Sequence, residues 1–232
     1  LYERFGSKTW LREVQDASAG PAAAEAPATV QKRRLRTVLS EEELKDLLLK
    51  LEAVELAGFN AVCAGDEPMS ARLIGVAFAF ADEAVYLPLA HEYPAAPPQV
   101  GIENALCLLR PWLERDERLK VGENVKFDRH VLANHGVRLA GCTHDTMLES
   151  YVLEVHERHD LGSLAQRHCG WSTLSLEEVT GKGASRIPFS AVEVARATEY
   201  AALNADCTLA LHQLLHPRIA RDEKLAYVYS KI

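Results

Sequence analysis

The sequence predicts an α/β domain: one mixed sheet, three antiparallel strands plus parallel strands, flanked by helices. Two observations carry this. The β-patterned runs at residues 59–64, 71–80 and 85–89 are separated only by the turn signals Gly65-Asp66-Glu67-Pro68 and Asp82-Glu83, and connections this short make an antiparallel meander. Beyond Glu103 helical periodicity alternates with short strand-like runs, the pattern of crossovers between parallel strands.

The elements follow in order. Residues 16–34 are rich in Ala, Pro, Glu and Gly and too poor in large apolar side chains to repay the entropy of ordering them, so they are expected to be a disordered linker ending in the basic run QKRRLR, a solvated end rather than a phosphate contact. Residues 35–39 alternate like an edge strand. Ser40 and Glu43 then form a capping box ahead of a helix with Leu44, Leu47, Leu48 and Leu51 on one face. After the meander comes HEYPAAPPQ, expected to be an exposed loop. Helices are expected at 103–115, kinked or broken at Pro111, and at 127–135, 145–155 and 160–168, with strands at 119–122 and near 141–143. A second capping box, Ser190 and Glu193, should open a long helix that carries Val194, Ala197, Ala201, Leu209 and Leu211 towards His216-Pro217.

Composition bounds the function. A chain of 232 residues, 48% hydrophobic and 25% charged, is ordinary for one globular domain plus tails. Its longest apolar run, 73–81, is too short to span a membrane, and the N-terminus lacks a signal-peptide core, so a cytoplasmic, monomeric protein with no membrane partner is expected. Five cysteines without C-x-x-C spacing argue against a disulfide framework and a structural zinc site, and are expected to be reduced and mostly buried. A formal charge of −7 leaves the whole molecule without an electrostatic footprint for nucleic acid.

The most informative stretch runs from Lys120 to Tyr151, where the apolar LKVG gives way to Glu123-Asn124 and helical periodicity. Asp128 is thereby placed near the C-terminal end of a strand, where ligand chemistry collects in α/β folds. GENVKFDRHVLANHGVRL, CTHDTMLESYVL, RHDLGSLAQRH, GKG and EYAALNADCTLALH, in this order, resemble the 3′-to-5′ proofreading exonuclease domain of bacterial DNA polymerase I, a family-A polymerase domain of the DnaQ-like, DEDDy superfamily with a ribonuclease-H-like fold. The resemblance runs from about Ser40 to the C-terminus, and the exonuclease-like domain is expected over residues 35–232. LYERFGSKTWL resembles the segment that follows the 5′-nuclease domain in such polymerases, so residues 1–15 are expected to be its end. With Leu1 in place of Met and Ile232 about where a polymerase domain would begin, the chain reads as a middle fragment of a DNA-directed DNA polymerase.

The resemblance implies two-metal phosphoryl transfer, in which two divalent ions about 3.5–4 Å apart activate water and stabilise the leaving oxygen. Mg²⁺ wants oxygen ligands, which the family supplies as D-x-E on the first strand, an Asp after the fourth, and Tyr-x-x-x-Asp on the last helix. Alternate strand residues share a face, as do helix residues four apart. Here the D-x-E positions are Asn60 and Val62, and the last helix offers Tyr200 but Asn204. Asp128 alone survives of four carboxylates. Asp66 and Glu67 are out of register, and Asp206 lies about 200° round the helix from Asn204.

The expectation is therefore a vestigial exonuclease domain acting as a structural module in DNA replication and repair. No cofactor is expected, with Mg²⁺ or Mn²⁺ only if the exonuclease is active and Asp128 a weak metal ligand or none. Asp128 and Tyr200 are the catalytic remnants. Asn124, Lys126, Phe127 and Arg129 are expected to touch nucleic acid, and Arg72, Lys182 and Arg186 are further candidates for a single-strand groove. The partners are DNA, weakly, and the polymerase domain of the same chain. Two alternatives stand: an active metal-dependent proofreading exonuclease, and a stand-alone nucleic-acid-binding or protein-interaction module. His130, His135 and His144 lack zinc-site spacing, and Asp145 is expected to cap the next helix.

Overall fold

The computed structural model describes residues 32–65 and 67–231; the expectations for residues 1–31 and for Asp66 lie outside them. Six strands form one sheet in the order β1-β4-β3-β2-β5-β6. They are β1 (Arg34–Thr37), β2 (Leu56–Ala64), β3 (Arg72–Phe80), β4 (Glu83–Pro88), β5 (Leu119–Gly122) and β6 (Cys142–Asp145). The meander β2-β3-β4 is antiparallel, while β5 runs parallel to β2 and β6 parallel to β5. β1 is an edge strand, parallel to β4.

Helices cover both faces. On one, α1 (Glu41–Glu52), α2 (Ile102–Leu113) and α3 (Val125–Asn134) bury Leu44, Leu47, Leu51, Leu109, Trp112, Val131 and Leu132 against Phe59, Val76 and Phe78. Both halves of the Ser40–Glu43 capping box form. Pro111 sits inside α2, where the sequence pattern had the helix kinking or breaking; it falls in the last turn and the helix continues to Leu113. On the other face lies α7 (Val194–Ala220), whose Ala197, Ala201, Ala202 and Ala205 meet Val62, Ala77 and Ala79. A side chain at Gly58 would come within 2.6 Å of the Ala205 carbonyl. Small residues on both elements thus bring α7 close to β2, and the residues that share their edge are pulled together.

Between these lie α4 (Thr146–Leu153), α5 (Leu161–Leu164) with a π-helical turn at Ala165–Cys169, and α6 (Leu176–Thr180); α8 (Glu223–Tyr229) closes the chain. The Ser190–Glu193 box does not form. Ser190 sits in a short 3-10 turn and Glu193 becomes the N-cap of α7 without a side-chain bond. The box forms instead at Ser175 and Glu178, ahead of α6. α7 also runs through Pro217 to Ala220 rather than stopping before it.

The loop after β4 is less exposed than its prolines suggest. His91 is 4% exposed, and its ring bonds the Tyr86 hydroxyl and the Val192 carbonyl, while Gln99 closes the loop by exchanging hydrogen bonds with the His91 backbone. At the linker end, the Arg33 guanidinium donates to the buried Asp206 carboxylate at 2.6 Å and its backbone N–H at 2.9 Å. Arg33 is held by α7 and Asp206 is turned away from Asn204. All five cysteines are free; Cys142 and Cys207 are buried, Cys63 and Cys169 half-buried and Cys107 exposed.

Candidate functional site

β2 and β5 run parallel, and their C-terminal ends open beside α7 onto a cleft of about 1370 Å³. Asn60 and Val62 contribute from β2, Glu123, Asn124 and Phe127 from the β5–α3 junction, and Tyr200 and Asn204 from α7. The D-x-E positions and the Tyr-x-x-x-Asp positions therefore share one cleft. Tyr200 and Asn204 stand four residues apart on α7, which places their side chains on one face of the helix. Val62 is only 5% exposed and belongs to the apolar layer beneath α7. β2 carries a register shift between Val62 and Cys63.

Asp128 stands behind this surface rather than in it. It is 3% exposed, and its Oδ2 accepts the Ala61 N–H at 3.2 Å. Burial pushes its carboxyl well above the usual carboxylate range, opposed by the Ala61 hydrogen bond and reinforced by Glu123 and Asp145. Burial likewise raises Glu123 to about 7, with Asp145 and Asp160 adding to it. A pair of Mg²⁺ ions would hold such carboxylates ionised. The positions that the resemblance assigns to metal ligands on β2 and α7 are instead two amides, a valine and a phenol; Glu123 and Asp160 also line the cleft, but those four side chains do not fit two hard divalent ions. Among the described residues, the one grouping of three or more His, Cys, Asp or Glu close enough to share an ion is His144, Glu149, His212 and His216, none of which lines the cleft.

Asp145 does more than cap one helix. Its carboxylate accepts the Met147 N–H of α4, as expected, and also the N–H groups of Asn124 and Val125 at the start of α3. This lets Asn124 adopt φ 56°, a left-handed turn that asparagine tolerates, and so aims the β5–α3 junction at the cleft. Lys120, fully buried, donates to the Arg115, Arg118 and Ala140 carbonyls and lies over Trp112, with burial pulling its ammonium down to about 8. Both residues brace the junction from behind.

The nucleic-acid candidates separate. Asn124 and Phe127 line the cleft; Lys126 is exposed outside it, and Arg129 donates to the Cys142 carbonyl beside a smaller depression. Arg186 lines the cleft, whereas Lys182 pairs with Glu177 and Arg72 approaches Glu92. Sequence reasoning passed over Arg158, Arg167 and the largely buried Trp171, which also line the cleft. The RHDLGSLAQRH motif was the signal for the two arginines, since both of its Arg residues line the cleft.

A family model described as 3′-5′ exonuclease matches residues 35–220. DNA polymerase I of Pseudomonas aeruginosa is 38% identical over 238 residues, covering 100% of this chain and 26% of that protein. Among solved structures, the POL domain of Pol1 from M. smegmatis, in complex with DNA primer-template and dNTP, superimposes with a TM-score of 0.62 at 21% identity, covering 83% of this chain and 29% of that one. Trypanosoma brucei RNase D superimposes with a TM-score of 0.61 at 16% identity, covering 78% of this chain and 65% of that one. These two likenesses speak for a shared ribonuclease-H-like fold. The chain spans about a quarter of the length of the curated relative, 26%.

Proposed function

This chain belongs to the 3′-5′ exonuclease domain family of DNA polymerase I, and from that premise we propose that it is a catalytically inactive member, retained as a structural module beside a polymerase domain. Exonuclease domains of this family generally use divalent metals. The observation that carries the proposal is that Asn60, Val62 and Asn204 line the cleft where metal-binding carboxylates are needed, while Asp128 lies buried behind Ala61. An amide oxygen can coordinate but brings no charge, and a buried valine brings nothing, so the electrostatic stabilisation of a leaving phosphoryl oxygen has no source.

What remains suits weak, sequence-tolerant contact with single-stranded DNA: the half-buried Phe127 offers a face for base stacking and Arg186 a cation for phosphates, while Arg158 and Arg167 at the same cleft are paired with Asp160 and Glu154. The net charge of −7 keeps that contact weak. In this reading the domain acts as a monomer in the cytoplasm, as part of a polymerase engaged in replication and repair. No helix among the described residues is long and apolar enough to cross a membrane.

The test is release of 3′ nucleotides from end-labelled single-stranded DNA with Mg²⁺ or Mn²⁺. The chain is expected to release none above background. Metal-dependent release that Asp128→Ala abolishes would establish the active-exonuclease reading instead. Sequencing the reading frame beyond Ile232 separates the structural module from a stand-alone binding protein, because the module requires a polymerase domain in frame.

A further inference from the structure

On the far side of α4, three imidazoles and one carboxylate converge. His144 lies on β6, Glu149 on α4, and His212 and His216 stand one turn apart on α7. The ring centroids are 4.3 Å apart for His144 and His212, 4.5 Å for His144 and His216, and 5.0 Å for His212 and His216. One ligand atom from each of the four residues lies within 4.8 Å of every other.

Hydrogen bonding does not account for the cluster. Four groups crowd a single carboxylate oxygen, Glu149 Oε1: His212 Nδ1 at 2.7 Å, the Tyr229 hydroxyl at 3.3 Å, His216 Nδ1 at 3.6 Å and His144 Nδ1 at 3.9 Å. The other oxygen, Oε2, is buried and has no hydrogen-bond partner, and neither has His216 Nδ1. The Glu149 side chain is 0% exposed, so its orphaned oxygen cannot reach water. Buried polar atoms are left unsatisfied only rarely, and an ion is one of the few remedies.

We propose that His144, Glu149, His212 and His216 form a binding site for one borderline divalent transition-metal ion of the zinc class, separate from the exonuclease cleft. Imidazole nitrogens select Zn²⁺, Co²⁺ or Ni²⁺ over Mg²⁺. Four protein ligands make a closed, structural site rather than one with an open position for catalysis. Tetrahedral zinc with ligands at about 2.0–2.1 Å sets them about 3.3 Å apart, so the longest present separation has to shorten by about 1.5 Å. His216 and His144, with side chains 34% and 21% exposed, have room to make that movement by rotating. The ion would join β6, α4 and α7, and through Tyr229 it would border α8.

The test titrates the 232-residue chain with CoCl₂ and then ZnSO₄, reading visible d–d absorption and heat. One ion per chain, a band of tetrahedral intensity that Zn²⁺ bleaches, and no response to Mg²⁺ are expected. His144→Ala and His216→Ala should each weaken binding at least tenfold, while His130→Ala and His135→Ala leave it unchanged. Circular dichroism and cooperative unfolding with chelator present establish that each variant is folded. Zn²⁺ at a hundred times its Kd should raise the wild-type Tm by about 5 °C or more, and not that of His216→Ala. Absence of one-to-one binding by the wild-type chain, or binding that survives both histidine substitutions, overturns the proposal. Nuclease activity enters none of these readouts, so the outcome is independent of whether the cleft is inactive.

Discussion

Two regions of this molecule invert each other's chemistry. In the proposed reading, the cleft at the ends of β2 and β5 occupies the place where an exonuclease of this family would hold metal, and it presents Asn60, Val62 and Asn204. The cluster behind α4 holds four metal-competent side chains within 4.8 Å, at a place the exonuclease mechanism does not use. The difference teaches that position in a fold does not confer chemistry. Ionisable groups in sufficient number do, whereas the shape of the fold rests on apolar packing. Val62 contributes to that packing, in the layer under α7.

The largest effect expected from breaking the comparison is a gain. Asn60→Asp, Val62→Glu and Asn204→Asp together should restore Mg²⁺-dependent release of 3′ nucleotides, by about a hundredfold or more over the parent chain, because metal ions supply several kcal/mol to such a transition state. The Co²⁺ spectrum of the histidine cluster should be unchanged in that variant. A reverted chain that stays inert would show that the cleft has drifted beyond its ligands, Val62 being the position most committed to packing.

Next in size is DNA affinity. Phe127→Ala should weaken binding of a short oligo(dT) by about tenfold, the value of one stacked base, as read by fluorescence anisotropy at fixed salt. Lys126→Ala should change it less than about twofold, because an exposed cation outside the cleft adds only a screened attraction. Equal losses in the two variants would mean that the cleft does not carry the contact.

The smallest effect is one of stability, and it distinguishes a buried remnant from a poised ligand. The Asp128 carboxyl is raised in the folded chain, so folding retains a proton that the unfolded chain loses above the ordinary carboxylate range. The stability it contributes is present at acid pH and falls as pH rises towards the folded value. Asp128→Asn keeps an oxygen for the Ala61 N–H without titrating. Its Tm should therefore gain on the parent as pH rises from 5 to 8 in chelator. A lower Tm at pH 8 would indicate that the ionised carboxylate is stabilised in the fold.

The sequence by itself determined the layered α/β architecture, the meander, the first helix with its capping box, and the positions of the cleft residues. These depend on short-range periodicity and on motif spacing, which a linear chain displays. It misplaced the start of α7 because a Ser-x-x-Glu pair caps a helix only where the backbone can begin one; Ser175 met that condition and Ser190 did not. It carried α7 short of its end because Pro217 costs one hydrogen bond, which packing of Leu215 and Ile219 repays.

Only the tertiary structure decided the rest. It put Asp128 behind Ala61, tied Arg33 to Asp206, and gathered His144 with His212 and His216 across 68 residues of chain or more, as numbered in the sequence. The four-residue step from His212 to His216 was the one trace of that cluster in the sequence. A metal-competent set assembled from a strand and two helices has no linear signature, because its geometry is fixed by how those elements pack.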